Sequence, residues 1–183
     1  MNTEKSIFPA QVLIRPSREA DLPAIQAIYA HAVVHGTGTF ETEAPAIEEM
    51  AKRRAEVLSR QLPWLVAEVE GKVAGYAYAN YFRPRLAYRF CVEDSIYLHA
   101  DQQGKGLGRL LLAELIARCE QAGARQMLAV IGDSENKGSI GLHQALGFQA
   151  SGTLHSAGWK FGRWLDVVMM QRTLGPGDQS QPE

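Results

Sequence analysis

Asp101-Gln102-Gln103-Gly104-Lys105-Gly106-Leu107-Gly108-Arg109 lies between a strand-like run, Ser95-Ile96-Tyr97-Leu98-His99, and a helix-like run from Leu107 to Ala122. Closely spaced glycines let a backbone turn tightly and approach a ligand with no Cβ in the way. A helix start just behind them offers unpaired N–H groups and the positive end of a dipole, which suits a phosphate or pyrophosphate. A P-loop needs Ser or Thr after Gly-Lys to hold magnesium, and here Gly106 follows Lys105. A dinucleotide fingerprint wants its first glycine directly after the strand, and here His99 to Gln103 intervene. A plain connecting turn is the remaining alternative on this stretch alone.

Working outward, Gln11 to Arg15 reads as a strand. Asp21 and Pro23 read as the cap and first turn of a helix with Ile25, Ile28, Tyr29 and Ala32 on one face. His35 to Thr39 is a loop. A second helix spans Glu48 to Arg60, with Met50, Val57 and Leu58 as its apolar contacts. Trp64 to Val69 and Lys72 to Tyr81 form a hairpin about Glu70-Gly71. Tyr88 to His99 is a long strand. Leu107 to Ala122 buries Leu111, Leu112, Leu115, Ile116 and Cys119 and stops at Gly123. Arg125 to Ile131 is a strand, Asn136 to Leu146 a helix, Gly147-Phe148 leads into another strand, and Trp164 to Gln171 closes the set. The order β-α-α-β-β-β-α-β-α-β-β predicts an α/β (α+β) fold, a mixed sheet with helices packed on it.

The 183 residues fit one domain, 11–174, with a loose leader over 1–10 and a disordered Gly-Pro-Gly-Asp-Gln-Ser-Gln-Pro-Glu tail over 175–183. The chain is 46% hydrophobic and 21% charged, with a net charge of −1 and no basic block, which argues against nucleic acid as a partner. No apolar run has the length of a membrane span, and the first ten residues lack the apolar stretch of a signal peptide. These absences point to a cytoplasmic protein. Cys91 and Cys119 have no metal or redox spacing and read as buried thiols.

Gln103-Gly104-Lys105-Gly106-Leu107-Gly108 resembles, at every defined position, the Gln/Arg-x-x-Gly-x-Gly/Ala loop of the GCN5-related N-acetyltransferases (GNAT). The resemblance narrows to the phosphinothricin and methionine sulfoximine acetyltransferases. It rests on Ile14-Arg15-Pro16, Pro63-Trp64-Leu65-Val66-Ala67-Glu68 with Gly75-Tyr76-Ala77, and Val92-Glu93-Asp94-Ser95-Ile96-Tyr97-Leu98. It rests also on Asn136 to His143 with Leu146-Gly147-Phe148, and on Gly158 to Asp166. It implies a mostly antiparallel central sheet flanked by helices, acetyl-CoA as acetyl donor, no metal, a small amino-acid analogue as substrate, and a homodimer.

Acetyl transfer from a thioester to an amine has chemical needs that these residues can meet. An ammonium must lose a proton before it attacks, and a positioned carboxylate can take it. Glu93 is the first choice for that base and Asp94 the second. Neighbouring strand residues face opposite ways, so only one meets the amine unless a bulge re-aims both. The oxyanion needs a backbone N–H donor. By resemblance, Ile96, Tyr97 and Leu98 line the pantetheine and acetyl carbonyl, and Ser95 adjoins the substrate. Gly104, Lys105, Gly106, Leu107, Gly108 and Arg109 hold the pyrophosphate, and Asn136 and Ser139 touch the pantetheine arm. His143 stands where many of the superfamily carry a tyrosine that protonates the leaving thiolate. Imidazole can do this near neutral pH, and helix packing is its alternative role. Arg83-Pro84-Arg85 follows the hairpin, and its guanidinium groups are candidate clamps for substrate carboxylate or phosphinate. Phe40, Tyr81, Tyr88, Trp159, Phe161 and Trp164 are candidate pocket walls.

Two other readings remain open on the sequence. One is an acetyltransferase for a protein N-terminus or a polyamine. The other is a non-catalytic acyl-CoA sensor, for which the acidic pair and His143 would have no use.

Overall fold

The computed structural model describes residues 11–182; the leader expected over 1–10 lies outside them. Seven strands form one sheet in the order β1-β2-β3-β4-β5-β7-β6. They are β1 (Val12–Pro16), β2 (Trp64–Val69), β3 (Lys72–Tyr81), β4 (Cys91–Leu98), β5 (Gln126–Gly132), β6 (Gln149–Lys160) and β7 (Arg163–Thr173). Four α-helices pack on it: α1 (Leu22–His35), α2 (Ile47–Ser59), α3 (Leu107–Gln121) and α4 (Lys137–Ala145). Every strand pairing is antiparallel except β4 with β5. This is the mixed, mostly antiparallel sheet expected from the sequence.

The core is built from alternation on the strands and apolar stripes on the helices. Trp64, Tyr76 and Tyr78 stack in a row, and Tyr97 lies on Tyr76 and meets the edge of Tyr29 from α1. On the other face Leu111, Leu112, Leu115, Ile116 and Cys119 of α3 are buried, as the helical spacing predicts. Gly123, at φ +87°, terminates α3.

Some local expectations need correction. Asp21 is the N-cap residue of α1, as expected, but its side chain makes no cap bond; its carboxylate accepts two hydrogen bonds from the Arg15 guanidinium at 2.7 and 2.8 Å and one from the Arg18 amide. The bidentate ion pair takes both oxygens of the carboxylate that a cap bond would need. On α1 Ile25, Ile28 and Tyr29 are buried as expected, but in the last turn the buried residue is Val33 and Ala32 is only half-buried. On α2 Leu58 is exposed. The strand expected from Tyr88 starts at Cys91, because Leu86–Tyr88 forms a short 3₁₀ turn. After Leu174 the Gly175 amide bonds Glu120, and Arg125 bonds Gly177 and Ser180. Cys91 is half-buried and Cys119 buried, both as free thiols. No helix among the described residues is long and apolar enough to cross a membrane.

Candidate active site

The parallel β4–β5 pairing lasts only from Cys91–Gln126 to Asp94–Ala129. Beyond it the two strands part. Ser95 to Leu98 stay paired to β3, and Val130 to Gly132 stay paired to β7. Between them opens a groove of about 980 Å³ whose walls are unpaired strand edges, which a ligand's amides can match. The groove is walled by Glu93 to Leu98 on β4, by Ala129 to Asp133, by the α1–α2 loop from Gly36 to Phe40, and by the glycine loop.

At the glycine loop Gly104 and Gly106 have φ of +70° and +82°, and a Cβ on either would meet nothing within 4 Å. Glycine is required there by conformation rather than space. Gly108 differs: its Cβ would press on Leu98 and Leu142 at 3.3 Å, so it lets α3 lie close to β4 and α4. Gly106 caps α3, and the amides from Gly104 to Gly108 have no partner among the described residues outside the helix itself. These are the donors an anion would take. Gly104, Gly106, Gly108 and Arg109 line the groove; Lys105 and Leu107 do not, the first being exposed and the second buried in the core.

Glu93 and Asp94 project from opposite faces of β4. Glu93 is half-buried on the α1 side of the groove. Burial raises its pKa above the ordinary carboxylate value, the Asp94 charge adds to this, and Arg83 opposes it. Asp94 points toward α4, where its Oδ2 lies 3.0 Å from His143 Nε2; both side chains are 2% exposed. Its Oδ1 has no hydrogen-bond partner among the described residues. His143 Nδ1 lies 2.7 Å from the Ser139 carbonyl oxygen and so must donate to it, and the ring meets Phe148 edge-on. Burial lowers the His143 pKa, but the bond to Asp94 and its charge outweigh this and raise it overall.

Asn136 is the N-cap of α4: its Oδ1 accepts from the Ser139 amide at 3.2 Å, and its Nδ2 donates weakly to the Gly132 carbonyl. Both Asn136 and Ser139 line the groove. Arg83, Pro84 and Arg85 do not; Arg83 stacks on Phe82 at 4.7 Å with its charge reaching Glu93, and Pro84 and Arg85 are exposed. Of the candidate aromatic walls only Phe40 reaches the groove. Sequence reasoning missed His31, His35, Asp133 and Arg163, which also line it. Arg163 is ion-paired to Asp133. The Asp133 φ of +74° gives no warning in the sequence, and only the fold brings these residues together. A second hollow, of about 530 Å³ at Gly147, Gln149 and Arg172, contains no candidate site residue. Among the described residues no three His, Cys, Asp or Glu side chains cluster as a metal site.

Residues 14–169 match the family model described as Acetyltransferase (GNAT) domain. The chain is 55% identical over 170 residues to a phosphinothricin N-acetyltransferase of Alcaligenes faecalis, covering 93% of this chain and 86% of that one. It is 46% identical over 167 residues to an L-methionine sulfoximine/L-methionine sulfone acetyltransferase of Pseudomonas aeruginosa, covering 89% and 95%. A crystal structure of a GNAT superfamily phosphinothricin acetyltransferase from Sinorhizobium meliloti, in complex with AcCoA, superposes with a TM-score of 0.91 at 47% identity, covering 94% of this chain and 93% of that one. The forked β4–β5 groove, the glycine loop at its end and these matches agree: the chain belongs to the GNAT family of acetyltransferases.

Proposed function

We propose that the protein transfers the acetyl group of acetyl-CoA to the free amino group of small amino-acid analogues such as phosphinothricin, methionine sulfoximine and methionine sulfone. The observation that carries this is Glu93, a half-buried carboxylate of raised pKa on the wall of a groove that ends at an anion-binding glycine loop. The residues fit acetyl-CoA. The open amides from Gly104 to Gly108 suit its pyrophosphate, and the unpaired edges of Ser95–Leu98 and Val130–Gly132 suit the amides of its pantetheine arm. Acetyl-CoA supplies a thioester carbonyl open to nucleophiles.

Glu93 takes a proton from the substrate ammonium, directly or through a water, and frees the lone pair. The amine attacks the thioester carbonyl and a backbone N–H among Ile96, Tyr97 and Leu98 holds the oxyanion; as the carbon–sulfur bond breaks, the proton still carried by the attacking nitrogen passes to the departing thiolate. His143, whose two ring nitrogens are held by the Ser139 carbonyl and by Asp94, fixes the Asp94 carboxylate behind the groove as a positioning residue. Ser95 borders the amine, and Arg83 sets the charge around Glu93. Arg85 and Pro84 complete the loop we assign to the substrate side. Arg109, with Lys105 and Leu107 in the same turn, completes the pyrophosphate loop, and Asn136 and Ser139 border the pantetheine arm.

Acetylation removes the ammonium by which such analogues imitate an amino acid, so the activity would give resistance to them in the cytoplasm. The exposed aromatic residues of β6 and β7 support a homodimer.

Released thiol, followed with phosphinothricin, methionine sulfoximine, methionine sulfone, glutamate, spermidine and a short peptide, tests the reading. Turnover is expected on the first three and none on the last two. Glu93→Gln is expected to lower kcat by about 10²- to 10⁴-fold. Activity on peptide or spermidine alone would move the substrate to another amine. Bound acetyl-CoA with no turnover on any amine would make the chain a sensor.

A further inference from the structure

Lys160, the last residue of β6, is only 4% exposed, and its ammonium forms no ion pair with a carboxylate among the described residues. A buried cation without a counter-charge is costly. Its Nζ donates instead to two carbonyl oxygens of the α1–α2 loop, Gly36 at 2.9 Å and Thr39 at 2.8 Å, from 124 and 121 residues away. Three further contacts fix the same loop. The Tyr29 hydroxyl meets Thr39 Oγ1 at 2.9 Å. The Thr37 carbonyl lies so close over Gly132 that no Cβ would fit, and the Phe40 ring leaves no room for a Cβ at Gly158.

In a trans peptide the C=O and N–H point in opposite directions. Drawing the Gly36 and Thr39 carbonyls onto the ammonium therefore turns the Thr37 and Phe40 amides away from it. Seating the Thr37 carbonyl on Gly132 does the same for the Gly38 amide. None of these three amides has a hydrogen-bond partner among the described residues, and all three residues line the groove. The ammonium also polarises the peptides it holds, which strengthens their N–H groups as donors.

We propose that Thr37, Gly38 and Phe40 form a backbone cradle for an oxyanion of the amino-acid analogue, its carboxylate or its tetrahedral phosphinate, and that Lys160 is the positioning residue behind it. This rests on the substrate class proposed above. It explains why a buried cation stands behind the groove wall, bonded to two carbonyl groups of the loop and lying 4.9 Å from the centroid of the Phe161 ring.

The test compares wild type with Lys160→Met on three amines: phosphinothricin, with carboxylate and phosphinate; methionine sulfone, with carboxylate alone; and methionine sulfone amide, with neither. KM for phosphinothricin is expected to rise about 10- to 100-fold, with the KM for acetyl-CoA unchanged. An equal rise for methionine sulfone assigns the cradle to the carboxylate, and no rise there assigns it to the phosphinate. In both cases the amide keeps its wild-type KM. The same factor on all three amines, or no change on any, overturns the cradle. Where Lys160→Met does not fold, amide NMR of the wild-type protein with CoA decides: the Thr37, Gly38 and Phe40 protons are expected to move downfield on adding phosphinothricin or methionine sulfone. Turnover of these analogues without that movement sinks the cradle and leaves the proposed function standing. No turnover on any analogue sinks the substrate class, and the cradle with it.

Discussion

At His143 burial and hydrogen bonding pull in opposite directions. Burial favours the neutral ring, while the bond to Asp94 and its charge favour the imidazolium, and the second effect wins. The folded pKa is thus above the ordinary 6.5. The pair's contribution to stability is complete below the unfolded value and is lost as pH rises through the folded one. The wild-type melting temperature is expected to decline across that upper range. In Asp94→Asn that decline should vanish, and the His143 titration followed by NMR should fall below its ordinary midpoint. Because both side chains are 2% exposed, removing one partner is expected to cost about 3–5 kcal/mol. An unchanged His143 midpoint in Asp94→Asn would show that the ion pair does not set its charge. Glu93 obeys the opposite sign. Burial and the Asp94 charge keep it protonated to higher pH than a free carboxyl, and Arg83 works against them. The acid limb of kcat/KM should therefore lie above the usual carboxylate range, and Arg83→Gln should move it higher still. A limb that stays in place on that substitution would place the Arg83 charge out of reach of Glu93, the base we propose.

At the scale of the element, the glycine loop before α3 separates two demands that one residue type meets. Gly106 holds φ +82° in open space, whereas Gly108 stands in close packing. Gly106→Ala is expected to cost about 1–2 kcal/mol of backbone strain and to raise the KM for acetyl-CoA, since it re-aims the amides at the start of α3. Gly108→Ala should instead push Leu98 and Leu142, lowering the melting temperature with a smaller effect on that KM. Equal effects from both on KM would refute the division. This loop was legible in the sequence because its information is local: glycine spacing, a strand before it and a helical stripe behind it. The β2–β3 hairpin was legible for the same reason, down to its Glu70-Gly71 turn. The start of β4 was not. Tyr88 has the aromatic side chain of a strand residue, yet its amide bonds back to Arg85 in a turn, and nothing in side-chain type distinguishes the two. Asp21 likewise holds the cap position read from the sequence but makes no cap bond, because Arg15 takes its carboxylate.

Over the whole molecule, the parts of the site that stayed hidden are those made by contacts far apart in sequence. Glu93 and Asp94 announce themselves as a carboxylate pair, but the partner of Asp94 lies 49 residues on, and Lys160 grips a loop more than 120 residues before it. Lys160 looks like any surface lysine until the sheet order places β6 beside β7 and brings its last residue over the α1–α2 loop. The same end of the sheet carries the dimer we propose. Nearly all of β6 is solvent-facing. Trp159 and Trp164 pack edge-to-face at 5.2 Å, yet are 58% and 60% exposed, and Phe161 in the turn between β6 and β7 is exposed as well. Leaving two tryptophans in water forfeits apolar burial that a second copy would recover, at roughly 25 cal/mol per Å² covered. Light scattering is expected to give twice the chain mass for the wild type and the single-chain mass for Trp164→Glu, with a lower melting temperature for the variant as the stabilisation by the second copy is lost. Arg163 and Lys160 tie the same β6–β7 turn to the groove. Dissociation should therefore also raise the KM for the amine substrate. A monomeric wild type would leave the aromatic patch without a partner copy, and a dissociated variant with full activity would show that one chain holds the whole site.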